Sequence, residues 1–530
     1  VKSSYRWQVL AVITLGLFMA ILDNTIVSVT LPQMQNAFHT DFETITWVAT
    51  AYFLAQAAVI PIVGYLSDRI GSKLVFLIAL SMFTVGSALC AIAPTKEALI
   101  AFRVFQGIGG GALMPIAFAI VYRIFPPEER GRITAVIGIP ILMAPAFGPT
   151  IGGYLSTAFS WNAIFTINLP IGIIALILAV LILPGRKQER ATQGIVADGT
   201  KKQRFDILGL ILSMVGFTAL VYGITEAGSK GWADHTVLIY IIVGCVILIA
   251  FVIVELLVSD PVMDMRIFAN YTFSISNILM WIVAAVLFGS LFLLPLFFEN
   301  VQQDTALTAG ELLIGQGLAS GVGMAISGVL YNRVGPRVLS VIGLILLVAG
   351  TYGLTQLGVD TTGLSLQGWL IVRGFGLGFV NTPLQTLALS VVSNKAMAKA
   401  SSLVSVTRQV ASAIGVAALT TYLTQQAITH GQTIGQAIQA GMATHHLSGV
   451  AATCVKAAGP TLNQAAAHAC VVQHATAMSM NDTFWVVTIF CAASIILALV
   501  LGRDPAIEAY KAARARGEEV VLERQPVLSE

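Results

Sequence analysis

Gly64-Tyr-Leu-Ser-Asp68-Arg69-Ile-Gly71-Ser-Lys73 is a short charged stretch, punctuated by glycine and set between two long apolar runs, and it occurs twice. The second copy is Gly328-Val-Leu-Tyr-Asn332-Arg333-Val-Gly335-Pro-Arg337, 264 residues further on. Aligned without gaps, Gly64 falls on Gly328, Asp68 on Asn332, Arg69 on Arg333, Gly71 on Gly335 and Lys73 on Arg337. In a chain of 530 residues such a repeat implies two similar halves joined by additional sequence.

The flanking apolar runs set the class. Charged residues make up 10% of the chain and apolar ones 56%, with a mean hydropathy of +0.84; a soluble domain carries about 25% charge. Runs of about 20 apolar residues, enough to cross a hydrocarbon layer as helix, predict fourteen spans. They lie at 8–30, 44–66, 73–93, 98–122, 133–157, 162–183, 206–226, 236–258, 274–298, 308–331, 336–357, 365–389, 401–425 and 482–501. With the N-terminus inside, the inner segments hold 23 of the 29 Lys and Arg, the outer ones only Lys96, Lys230 and Lys456. That asymmetry orients the chain with both termini cytoplasmic.

The expected architecture is an all-α membrane protein of two six-helix bundles plus an inserted two-helix hairpin. Residues 1–184 form the first bundle, 185–205 a basic cytoplasmic linker, 206–258 the inserted pair, 274–501 the second bundle and 502–530 a cytoplasmic tail. Both copies of the charged stretch lie on the inner side after the second span of their half, so the repeat is parallel. The outer segment 426–481 reads as a long loop. It carries Cys454 and Cys470, which on an oxidising side either pair as a disulfide or stay as free thiols. All seven histidines, His39, His235, His430, His445, His446, His468 and His474, fall on the outer side, as loop polarity or as sensors of external acid.

Ionisable groups inside spans are costly and default to functional candidates. Asp23 sits in the outer part of the first span, roughly 24 Å above Trp7 at about 1.5 Å per residue, and Arg103 enters the fourth span from the same side. An ion pair there favours the ionised carboxylate, and its rupture favours protonation, so the two form a candidate proton switch; a permanent bridge between helices is the plainer reading. Arg373 opens the related span of the second half, and Arg408 lies near the inner end of its span, where a long side chain reaches water. Glu226, Glu299, Asp304, Glu311 and Asp482 gather toward the outer mouth as wetted rim charges. Glu299 and Glu311, close to Phe297 and Phe298, are the pair suited to an organic cation. The chain has no phosphate-cradling loop, metal-binding spacing or nucleophile elbow. An enzyme is therefore not expected, nor a metal, a cofactor or a nucleic-acid partner, and uphill work would draw on a proton gradient.

These stretches resemble the major facilitator superfamily, in particular its fourteen-span drug:proton antiporters of the EmrB/QacA type, over nearly the whole chain. Gly64 to Lys73 is similar to the cytoplasmic loop motif, Leu22 to Pro32 to the acidic first-span motif, and Arg103 to Pro115 to the fourth-span motif linked to proton coupling. Pro145 with Gly148-Pro149-Thr-Ile-Gly152-Gly153 resembles the antiporter motif, and Trp161 to Gly172 a sequence typical of the fourteen-span group. Ala144, Asn332, Glu299 and Glu311 depart from the common pattern.

The resemblance implies an inner gate of Gly64, Asp68, Arg69, Gly71 and Lys73, with Arg130 and Arg132 as partners of Asp68. It implies proton coupling through Asp23 and Arg103, and a cavity between the halves. Depth and side-chain type assign Tyr52, Gln56, Met114, Met143, Asn277, Trp281, Glu299, Glu311, Arg373 and Asn381 to that cavity. The expected function is proton-coupled export of small amphipathic or cationic compounds across the inner (plasma) membrane. Export of a dedicated metabolite or lipid is the alternative on the same scaffold, and a non-transporting sensor a remote one; the expected partners are the substrate, protons and the bilayer, with an accessory envelope protein left open.

Overall fold

The computed structural model describes residues 3–185, 206–302, 306–394, 396–444, 449–457 and 464–502, with 504, 508 and 516 beyond. The linker beyond residue 185 and most of the tail after 502 lie outside the described residues. Regular structure among the described residues is entirely helical. The first half runs α1 (Ser3–Ala37), α2 (Phe42–Ile70), α3 (Ser72–Ala91), α4 (Lys96–Ile124), α5 (Arg130–Ala158), α6 (Ala163–Thr166) and α7 (Asn168–Ile182). The insert is α8 (Ile207–Lys230) and α9 (His235–Leu257). The second half runs α10 (Tyr271–Asn300), α11 (Ala306–Val334), α12 (Pro336–Gly353), α13 (Gly363–Ser390), α14 (Met397–Thr444), α15 (Gly449–Ala457) and α16 (Gln464–Leu499). Among the described residues, thirteen helices are long and apolar enough to cross a membrane; α5, over the run at 133–157, is a further helix of 29 residues.

The duplication extends from sequence into packing. The Cβ of any residue larger than Gly107 would press on Tyr52 and Ala55, and one at Gly374 on Gln316 and Ala319. Gly109 lies against Ala79 and Phe83, and Gly376 against Gly343 and Leu347. The same register places Gly86 against Gln106, and Gly350 against Arg373. Helices 2, 3, 11 and 12 thus keep the offset of 264, while α13 stands 267 residues after α4. Small residues permit this close backbone approach, the usual glue between helices in lipid.

The two halves share one core at the end of the bundle that carries the charged stretches, here the loop end. Leu10, Val63, Phe125 and Ile133 of the first half belong there to one cluster with Leu387, Met397, Leu403 and Val406 of the second. Toward the opposite end the cores separate. Leu22, Val48, Leu99 and Phe165 form a cluster within the first half, and Leu293, Phe297, Leu313 and Phe484 one within the second. The insert flanks the seam: Trp47 of α2 stacks near Tyr222 of α8, and Trp232 donates to Thr421 of α14.

The described residues of the segment 426–481, expected as a loop, are helical. α14 continues for 48 residues and α16 for 36, so both project beyond the bundle. Its alanine and glutamine content is good helix-forming composition. Cys454 and Cys470 are joined in a disulfide that ties α15 to α16, and His430 meets Asp482 across the two long helices at 2.7 Å.

Candidate functional site

Asp23 and Arg103 meet inside the first half. The Arg103 guanidinium donates to the Asp23 carboxylate at 2.6 Å, and each side chain is only 1% exposed. Three side chains complete the cluster. Gln106, one turn along α4 from Arg103, donates to Asp23 at 3.0 Å and to Ser87 at 2.7 Å, while its oxygen accepts from Arg103 at 2.7 Å. Asn168, at the start of α7, donates to Asp23 at 2.8 Å. Tyr52 lies under the guanidinium, 4.0 Å from it to the ring centre, and Arg103 Nε donates to the Val48 carbonyl at 3.0 Å.

The carboxylate therefore accepts three hydrogen bonds and faces one cation, in a site closed to water. A charge pair in such a site carries a desolvation penalty of several kcal/mol per ion, offset only by good geometry. Gln106 and Asn168 were missed in the sequence because amides in apolar helices carry no distinctive pattern. The three-residue spacing of Gln106 from Arg103, which puts both on one helix face, is the signal that was available.

At the loop end, Gly71 and Gly335 both take positive φ, 95° and 92°, a backbone that requires glycine and gives the two copies one shape. Lys73 donates to the Val180 and Leu183 carbonyls at 2.7 and 2.8 Å, closing the C-terminal end of α7. Gly64 packs on the Ala398 and Lys399 backbone, and its N–H donates to Ser402 at 2.9 Å. Gly328 packs on Gly131 reciprocally, so each copy seals against the other half.

The expected partners of Asp68 need correcting. Its carboxylate is met at 2.7 Å by Arg123, in the last turn of α4 and level with it. The start of α5 turns Arg130 over the Tyr122 ring and Arg132 over Trp7, at 5.3 and 5.0 Å. Asp68 thus ties its own half together. The ionic link between halves runs through Asp260, which follows the insert and meets Lys399 at 2.7 Å and Arg69 at 4.0 Å. Asn332 donates across the seam to the Glu128 carbonyl at 2.5 Å.

The remaining described candidates have separate surroundings. Met143 packs on Gly321. Gln56 is buried beside Gly110 and Gly111. Arg408 is half-buried and points at Met114 on the facing helix, 2.6 Å from its sulfur. Asn277 and Asn381 donate to carbonyls of their own helices, and Trp281 stands at the loop end near Phe268. Glu311 is exposed. The side chains of Glu299, Pro145 and Pro149 lie outside the described residues. Gly148 and Gly152 bring α5 onto Thr25 and Ile26 of α1, whereas a Cβ at Gly153 would meet open space. Arg373 is fully buried and donates to Gln316 at 3.2 Å and to the Val286 carbonyl at 3.4 Å.

Two parallel helical repeats, an insert beside their seam and a charge pair buried in the first repeat define a multi-pass membrane protein of the transporter class. The chain belongs to the Major Facilitator Superfamily, which it matches over residues 13–416. It is 32% identical over 523 residues to the uncharacterized MFS-type transporter YhcA of Bacillus subtilis, covering 97% of this chain and 96% of that protein. It is 36% identical over 440 residues to the Multidrug resistance protein B homolog of Mycobacterium tuberculosis, covering 80% and 77% of the two chains. The fold is that of the proton:xylose symporter XylE, with a TM-score of 0.63 at 13% identity over 96% of this chain and 100% of the other.

Proposed function

We propose that this chain is a proton-coupled secondary exporter of small amphipathic compounds, working by alternating access. In this reading it is a fourteen-span antiporter with both termini cytoplasmic, set in the inner (plasma) membrane. The observation that carries the reading is the Asp23 cluster: one carboxylate, one guanidinium and two amides sealed in the first half. Relatives named for multidrug resistance support the choice of substrate. The loop end is then cytoplasmic, and the shared core there describes a form closed inside, with the halves parted on the outer side. Proton entry from outside would neutralise Asp23, free Arg103 and let α1 and α4 shift; release of that proton inward would reset the pair.

The test is transport by the purified chain in proteoliposomes under an imposed pH gradient, with ethidium and a panel of other fluorescent lipophilic probes. Uphill accumulation that collapses when nigericin dissipates the gradient is the expected result. Accumulation unchanged by nigericin would remove proton coupling from the account.

A further inference from the structure

The register fixed by the glycine contacts shows what stands in the second half where the first has its ion pair. These contacts put Gln316 in the place of Tyr52 and Ser320 in that of Gln56, and the same offset of 264 carried into α10 sets Leu287 level with Asp23. With the offset of 267 in α13, Arg373 occupies the place of Gln106 and Leu370 that of Arg103. The second half therefore keeps a buried guanidinium and lacks the acid. Arg373 is 0% exposed, its Nε has no partner, and no carboxylate among the described residues touches it.

A narrow cavity lies where the acid would be. It is lined by Leu287 and Phe288 of α10, Gln316 and Ser320 of α11, Leu377 of α13 and, across the seam, Ile141 of α5. Arginine has only donors, so the Gln316 atom that accepts from Arg373 is the oxygen. This leaves the Gln316 amide as a donor at a cavity whose other polar side chain, Ser320, donates to the Gln316 carbonyl of its own helix.

We propose that this cavity is a subsite for an apolar organic anion, whose carboxylate or similar oxygen takes the role that Asp23 plays in the first half. Gln316 donates to it, Arg373 behind Gln316 supplies the opposite charge, and the leucines and Phe288 receive the hydrocarbon body. Admission requires α5 to move away from α10 and α11, because Ile141 forms one wall. The proposal deepens the exporter reading by naming a substrate class, and it rests on that reading. The cation preference expected from Glu299 and Glu311 is replaced here by its opposite.

The experiment is equilibrium binding of radiolabelled dodecanoate to the full chain in nanodiscs, over empty nanodiscs, with dodecyltrimethylammonium as the cationic counterpart. Wild-type protein should bind dodecanoate at least about tenfold more tightly than the cation, a difference of one tenfold step in Kd. Arg373→Gln should erase the preference. Leu287→Asp, which restores an internal acid without removing Arg373, should weaken dodecanoate by a similar factor and leave the cation unchanged or tighter. Equal binding of both probes, or dodecanoate binding that survives both variants, overturns the proposal. Because the assay needs no gradient, lost proton coupling with intact dodecanoate selectivity would count against the exporter reading alone.

Discussion

Asp23→Asn is expected to abolish export driven by a pH gradient while leaving substrate binding within about threefold of wild type. Asparagine keeps the shape of the side chain and can still accept from Gln106 and Asn168. What disappears is the only anion within contact of Arg103 among the described residues. Removing one partner of a buried ion pair costs about 3–5 kcal/mol, and about 1.4 kcal/mol is a factor of ten. The locked form would fall by at least about a hundredfold relative to the released one. Uphill transport in proteoliposomes checks this, alongside equilibrium exchange of substrate across the membrane, which needs no net proton movement and should persist. Undiminished uphill transport by the variant would exclude Asp23 as the coupling group.

Gly64→Ala is expected to slow transport by roughly tenfold or more by opening the loop end. The added methyl would fall 2.6 Å from the Ala398 oxygen and 2.8 Å from the Lys399 Cα, both backbone atoms that no rotamer change can move. Overpacking of this kind costs about 1–3 kcal/mol, whereas Gly to Ala inside a helix ordinarily gains about 1 kcal/mol. The two effects have opposite signs, so a loss of function identifies the contact with α14. Gly368→Ala in α13 is the control, since its methyl enters open space, and transport should stay within about twofold by the small size of unstrained surface changes. Labelling of a cysteine placed at Ser402 should rise in Gly64→Ala and stay at wild-type level in Gly368→Ala. Equal rates and equal labelling in both would mean that this end is not a gate.

Much of this was legible in the sequence because lipid makes it so. Spans must be apolar and full length, so the runs could be marked out, and the 264-residue repeat paired the halves before any helix was placed. Asp23 and Arg103 stood out for the same reason: a charge in a span is rare. The amides around them did not, since Gln106 and Asn168 differ from their neighbours only in hydrogen-bonding capacity. Partner choice at the loop end was also hidden. Arg123, Arg130 and Arg132 lie within ten residues of one another, and only the turn between α4 and α5 decides which faces Asp68.

The helical projection of α14 and α16 escaped because polar residues outside the hydrocarbon layer can form helix as readily as loop. In the sequence Arg373 aligns loosely with Arg103, because each precedes a glycine-rich run that ends in proline, at Pro383 and Pro115. The glycine contacts correct that pairing by one turn, and the correction exposes the missing acid in the second half.

The central claim is that a proton moves inward for substrate moving outward, through Asp23. Its most direct measurement is the reverse coupling: proteoliposomes loaded with a probe that the chain transports, started without a pH gradient, and followed with a trapped pH dye. Exit of probe down its own gradient should drive protons in the opposite direction in wild type, with no such movement in Asp23→Asn. Probe exit without any pH change in the wild-type chain would contradict the account.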